Sequence, residues 1–234
     1  MKTPHLGLWF LVAVAATSLA ADPSPTVKFR FDPAPEVDEP GKKKVDVDVQ
    51  HAFTAGNIAI GRGDLNAARE DFLKVLQAVP DSIPAMVNLG LVEYRAKNLE
   101  KAEGLLQNAV NISPKSGLGW LLLGVVQYDR NRFDFALASL AQAAVLDPKN
   151  PMVHQYLGVT IGQKGWYSGA EDELRKAIEL DPEYAEAHFN LAVFYLQRNP
   201  PAVELARRHY ERALELGAAP DSDVERSLGD KSKP

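Results

Sequence analysis

Apolar residues in this chain come in short bursts of helical spacing, and the bursts themselves return every 34 positions. Ala68 and Phe72, Ala102 and Leu106, Ala136 and Leu140, and Ala170 and Leu174 each stand four residues apart, one helical turn, on the apolar stripe of a helix. Gly56, Gly90, Gly124 and Gly158 keep the same register, and so do Pro80, Pro114, Pro148 and Pro182. A period of this size marks a two-helix unit that cannot bury its own apolar face and must stack on its neighbours. The pattern predicts helix pairs over 47–61 and 65–79, 83–97 and 99–112, 117–130 and 133–146, 151–164 and 167–180, and 185–198 and 201–216. Turns this short leave no room for a sheet.

The recurrent residue types have a packing logic. Gly56, Gly90, Gly124, Gly158 and Ala192 stand where the two helices of a unit meet, and a larger side chain there would push the backbones apart. Ala68, Ala102, Ala136, Ala170 and Ala206 are expected to face that spot from the second helix. Leu89, Leu123, Leu157 and Leu191 fill the seam beside it, with Phe72, Leu106, Leu140, Leu174 and Tyr210 packing four residues further on. The prolines stop each second helix and set the angle to the next unit.

These positions resemble the tetratricopeptide repeat family over about Val49 to Leu216. The residues that carry the resemblance are Leu89-Gly90, Leu123-Gly124 and Leu157-Gly158 with Trp120, and the sets Ala102-Leu106-Ala109, Ala136-Leu140-Ala143 and Ala170-Leu174-Ala177. The closing pairs Asp147-Pro148 and Asp181-Pro182 belong to it as well. The resemblance implies an all-α, right-handed superhelical solenoid of five units, 49–82, 83–116, 117–150, 151–184 and 185–217, within a repeat region of 47–217. Two departures stand out. Ala52 and Ala55 replace large apolar residues in the first unit, and the fifth is lengthened around Arg198-Asn199-Pro200-Pro201.

The flanks have a different composition. Leu6 to Val14 is apolar behind Lys2, and Ser18-Leu19-Ala20 offers small residues at signal-peptidase spacing, so residues 1–20 are expected to be a cleaved signal peptide. That makes the protein an exported one, periplasmic or secreted, with no stable membrane span after cleavage. Residues 21–46, with Pro23, Pro25, Pro33, Pro35 and Pro40, are expected to form a disordered tether. Val27, Phe29 and Phe31 alternate with charges inside it. In 218–234, Ser222 and Glu225 fit a capping box for a short turn in which Val224 and Leu228 cover the last unit, ahead of a disordered polar tail.

Charge and chemistry narrow the function classes. The chain has a formal net charge of -5 and no cysteine, which excludes a disulfide scaffold and offers no basic field for nucleic acid. His154 and His188 occupy equivalent places in adjacent units, where Ala52, Met86 and Trp120 stand in the others. That equivalence makes the position a packing slot in which imidazole hydrogen bonds at one edge, with no third residue to complete a metal site. Ser113 and Ser116 have no histidine partner, and Glu70, Asp71, Glu171 and Glu173 are expected on solvated helix faces. No catalytic residue, metal or cofactor is expected.

The family's usual role implies instead that a protein or peptide lies along the face made by the first helices. In this sequence that groove would be lined by Phe53, Asn57, Val87, Leu91, Tyr94, Leu121, Val125, Tyr128, Gln155, Val159, Phe189 and Val193, with Ile60 and Leu196 beside them. It is apolar with amide and hydroxyl accents, suited to an apolar helix or an extended peptide. A subfamily that clamps ligand carboxylates uses basic residues where Phe53, Leu118 and Leu122 stand here, although Asn57 and Asn88 match its asparagines. The expected function is a non-catalytic interaction module or scaffold of the bacterial envelope. The alternative is a structural subunit that self-associates through the same stack as a homo-oligomer.

Overall fold

The computed structural model describes residues 47–229, so the expected signal peptide, the expected tether and the last five residues lie outside the described residues. Among them are eleven helices and no strand. They fall into two compact units, 47–146 and 147–229.

The first unit holds α1 (Val47–Arg62), α2 (Leu65–Ala78), α3 (Ile83–Arg95), α4 (Leu99–Ile112), α5 (Gly117–Asp129) and α6 (Phe133–Leu146). The second holds α7 (Pro151–Gln163), α8 (Tyr167–Leu180), α9 (Ala185–Gln197), α10 (Val203–Glu215) and α11 (Ser222–Leu228). Each is an all-α solenoid of paired helices. Within a pair the helices pack together, each second helix packs on the following first helix, and successive first helices also touch.

Local chemistry sets the ends. Asp64, Ser116 and Asn150 cap α2, α5 and α7, each side chain accepting from a backbone N–H of the first turn. Lys97 and Asn131 take positive φ in the turns after α3 and α5, and Gly63 and Gly165 do so in the equivalent turns after α1 and α7. The second helices α2, α4, α6 and α8 all stop two residues before Pro80, Pro114, Pro148 and Pro182.

The glycine register meets the large residue of the second helix at all four positions, and the expected alanine only at Gly158, where the Ala170 carbonyl lies 3.0 Å from the Cβ position. A Cβ on Gly90 would sit 2.7 Å from Leu106 Cγ, one on Gly124 2.5 Å from Leu140 Cγ, and one on Gly158 2.9 Å from Leu174 Cγ. At Gly56 the ring of Phe72 fills the place. The glycine therefore accommodates the large residue of the second helix, while Ala68, Ala102, Ala136 and Ala170 are wholly buried beside it. A large side chain has to be received by a missing one, because helix axes this close leave no room for two.

The last unit closes as expected in kind and differs in detail. Residues 222–228 form a helix, not a single turn, and α11 rests on α9 and α10 with Val224 and Leu228 buried. Asp221 is its cap, accepting from the N–H groups of Asp223 and Val224. The expected Ser222–Glu225 capping box is thus replaced by a carboxylate one residue earlier. Tyr210 holds this strap, its hydroxyl accepting from Asp221 N at 2.7 Å.

Candidate functional site

In the first unit the first-helix face begins with two rows one helical step apart. Phe53, Asn57 and Ile60 follow one another on α1, and Asn88, Leu91 and Arg95 lie at i, i+3 and i+7 on α3. Asn88 Nδ2 donates to Asn57 Oδ1 at 2.8 Å, so the two amides tie the helices together. Phe53 meets the Phe72 ring edge-on at 5.7 Å. One turn on, the Tyr94 hydroxyl donates to Asp129 Oδ2 at 2.8 Å, linking α3 to α5. Burial pushes the Asp129 carboxyl up, against the pull of that hydroxyl and of Lys97.

Of the residues expected to line the groove in this unit, Phe53, Asn57 and Leu91 keep partial exposure. Val87, Tyr94, Leu121, Val125 and Tyr128 are buried, as is Asn88 beside them. In the second unit Gln155 and Val159 on α7 are buried, and Phe189 and Val193 on α9 are partly exposed. The Tyr184 hydroxyl points at Gln155 Oε1 at 3.4 Å, and burial raises that phenol well above its ordinary value.

Asn190 introduces an unanswered polar atom. It stands three repeat lengths after Asn88, and Val159 stands where the partner Asn57 would be. Valine offers no hydrogen bond, and the Asn190 Oδ1 is buried without a donor. Such an oxygen costs about 1–3 kcal/mol unless something supplies an N–H.

The ring slot used more than one edge. Trp120 Nε1 donates to the Pro114 carbonyl at 2.9 Å, and His154 Nε2 meets the equivalent Pro148 carbonyl at 2.9 Å. His188 Nε2 meets the Pro182 carbonyl at 3.3 Å in the same way. The slot thus selects rings that can donate to the proline closing the preceding unit. The opposite edge of His154 faces Glu173 Oε2 at 2.7 Å, whereas that of His188 faces His209 Nδ1 at 3.0 Å. With His188 Nε2 donating to the carbonyl, His209 Nδ1–H is the donor and His188 Nδ1 the acceptor. Among the described residues no group of three or more His, Cys, Asp or Glu could hold a metal ion.

Buried carboxylates are a feature that sequence reasoning missed. Glu171, expected on a solvated face, is buried, and its carboxylate binds Arg175, Arg198 and the Tyr195 hydroxyl. Glu103, two repeat lengths earlier, receives Gln127, Arg130 and Arg132. Glu93 takes Arg69 at 2.6 Å and Asn98, and the guanidinium beside it holds its carboxyl below the usual range. Each cluster joins a second helix to the following first helix or its turn, through Arg69–Glu93, Arg130 and Arg132 with Glu103, and Arg198 with Glu171. The coincidence of Glu103 with Glu171, and of Arg130 with Arg198, at twice the period was the signal available in the sequence.

Residues 53–117 match the tetratricopeptide repeat family and residues 162–198 match a TPR repeat family. The helix pairs already described have the architecture of those repeats. Similar solved structures include PilF of Pseudomonas aeruginosa, at 20% identity and a TM-score of 0.68, covering 78% of this chain and 81% of that one. MamA 41-end from Desulfovibrio magneticus RS-1 aligns at 16% identity and a TM-score of 0.65, covering 76% and 100%. YrrB, described as a TPR protein with an unusual peptide-binding site, aligns at 20% identity and a TM-score of 0.58, covering 74% and 87%. At these identities the likeness is one of fold. No curated protein sequence matches the chain.

Proposed function

We propose that this protein is a non-catalytic interaction module whose first-helix faces receive a peptide segment of a partner protein. The observation that carries this reading is the partly exposed apolar side chains that the first helices present, Phe53 and Leu91 in one unit and Phe189 and Val193 in the other. The apolar side chains of a bound peptide cover these residues at roughly 25 cal/mol per Å². The repeat matches support a binding role in general terms. The signal-like residues 1–20 support export to the periplasm or beyond, where the partner would be met.

Peptides selected from a randomised display library against the chain, and then titrated by fluorescence anisotropy, test this reading. Val193→Glu puts a charge among the partly exposed apolar side chains, so it should weaken a peptide seated on α9 about tenfold or more with the helical circular dichroism unchanged. Selection that yields no peptide at all would remove the proposal. Self-association through the same faces is the competing reading, and sedimentation of the free chain separates the two: a concentration-independent monomer supports the module.

A further inference from the structure

Arg95 is the point at which the α1–α3 face departs from the apolar character expected of it. Its neighbours in the fold show how arginine is ordinarily accommodated in this unit: Arg69 binds Glu93, and Arg130 and Arg132 bind Glu103. Arg95 has no such partner. Its Nη1 reaches only the Ile60 carbonyl, at a long 3.4 Å, and its Nε is buried without an acceptor. Burial alone acts on it, lowering its tendency to hold a proton, and no carboxylate opposes that effect. A guanidinium does not discharge in a protein, so the result is a standing, partly desolvated cation whose terminal nitrogens hold more N–H groups than the one bond to Ile60 uses.

What lies around it specifies a ligand. Asn88, seven residues back on the same face, is about 10 Å away along α3. That distance is spanned by roughly three residues of extended peptide. The hydrogen bond between Asn88 and Asn57 uses one N–H of Asn88 and leaves both N–H groups of Asn57 as donors and the Asn88 Oδ1 as acceptor, a set that complements a peptide group. Between the amides and the guanidinium lie the partly exposed Leu91 and Ile60.

We infer that the α1–α3 face binds an extended segment of a partner protein carrying a carboxylate about three residues from the peptide group held by Asn57 and Asn88, with an apolar side chain between them and the carboxylate on Arg95. This rests on the peptide-binding reading above and adds its charge specificity. The carboxylate is paired by a forked donor, and charge complementarity identifies the occupant as acidic. The position differs from that of the carboxylate-clamping subfamily, whose basic positions are Phe53, Leu118 and Leu122 in this chain.

The test uses fluorescein-labelled octapeptides with leucine at alternate positions and the rest randomised, prepared in three sets that carry one glutamate, one glutamine or one lysine. Anisotropy with the full chain should give the glutamate set an affinity roughly ten times that of the glutamine set, declining with salt, with the lysine set weakest. Arg95→Gln should erase the preference of the glutamate set over the glutamine set with the circular dichroism unchanged, and Arg95→Lys should restore part of it. Equal binding of the glutamate and glutamine sets to the unaltered chain, or a preference that survives in Arg95→Gln, overturns the acidic specificity alone. Binding by none of the sets overturns the peptide-binding reading with it.

Discussion

Gly104→Ala and Gly124→Ala are the same chemical change in two helices, and the structure gives them opposite consequences. Each replaces a helical glycine, which by propensity alone should stabilise by about 1 kcal/mol. At Gly104 on α4 nothing lies within 4 Å of the new Cβ, so that gain is realised. At Gly124 on α5 the Cβ falls 2.5 Å from Leu140 Cγ, 2.9 Å from its Cδ2 and 3.3 Å from its backbone nitrogen. Carbon atoms in contact prefer a separation of roughly 3.5–4.0 Å, so α5 and α6 must part by about 1 Å or Leu140 must leave its rotamer. Leu140 is fully buried and has nowhere to go. Overpacking of this kind costs about 1–3 kcal/mol. The propensity gain is common to both variants and cancels in the difference, so Gly124→Ala should be less stable than Gly104→Ala by that same 1–3 kcal/mol. In urea, with a slope near 2 kcal/mol/M, the midpoints should separate by about 0.5–1.5 M. Far-ultraviolet circular dichroism and Trp120 fluorescence provide two readouts. Superimposed curves would refute the account of the glycine register as a seat for the second helix's large residue.

Three further outcomes are expected. Glu103→Leu leaves Arg130 and Arg132 unpaired beside a buried site, and because both arginines can turn to water the loss should be about 1–3 kcal/mol, measurable as a lower urea midpoint. Trp120→Phe keeps the ring and deletes the bond to the Pro114 carbonyl, which should cost about 1 kcal/mol; an unchanged melting curve would show the slot to be purely steric. Acid should weaken the α9–α10 pair. Burial first, then His188, Arg175 and Arg208, lower His209 from 6.5 to about 4, and burial also lowers His188, with Arg212 adding to it. The unfolded chain then takes up protons that the folded pair refuses. Stability is full above about pH 6.5, falls toward pH 4 and levels below it, by about 1–2 kcal/mol once the partial exposure of His209 is allowed for. Urea midpoints at pH 7 and pH 5 check this, and His209→Gln should flatten the difference.

The architecture was legible because it is local and repeated. Helical spacing within each burst and the 34-residue return between bursts place the helix pairs within a residue or two, since each unit carries the same small and large positions. The prolines and turn residues mark the ends for reasons that lie within a few residues of one another. Even the covering of the last unit could be anticipated from Val224 and Leu228, although the element is a helix where a single turn was expected. What the sequence determined by itself, then, is the set of helices and their pairing.

Tertiary structure decided the meetings between side chains of different units. Periodicity states that Gly124 recurs, but only the crossing of α5 and α6 puts it under Leu140 in place of Ala136. Glu171 has the spacing of a surface residue on α8, and it is buried because Arg198 and Tyr195 of the next first helix and its turn close over it. Asn88 and Asn190 are the same residue in the same register, yet one is answered by Asn57 and the other is left facing a valine. Arg95 likewise differs from Arg69 only in having no glutamate across from it. The physical reason is common to all four. A hydrogen bond or an ion pair is fixed by the reach of two side chains across a packed interface, and a one-dimensional register records only one of the two.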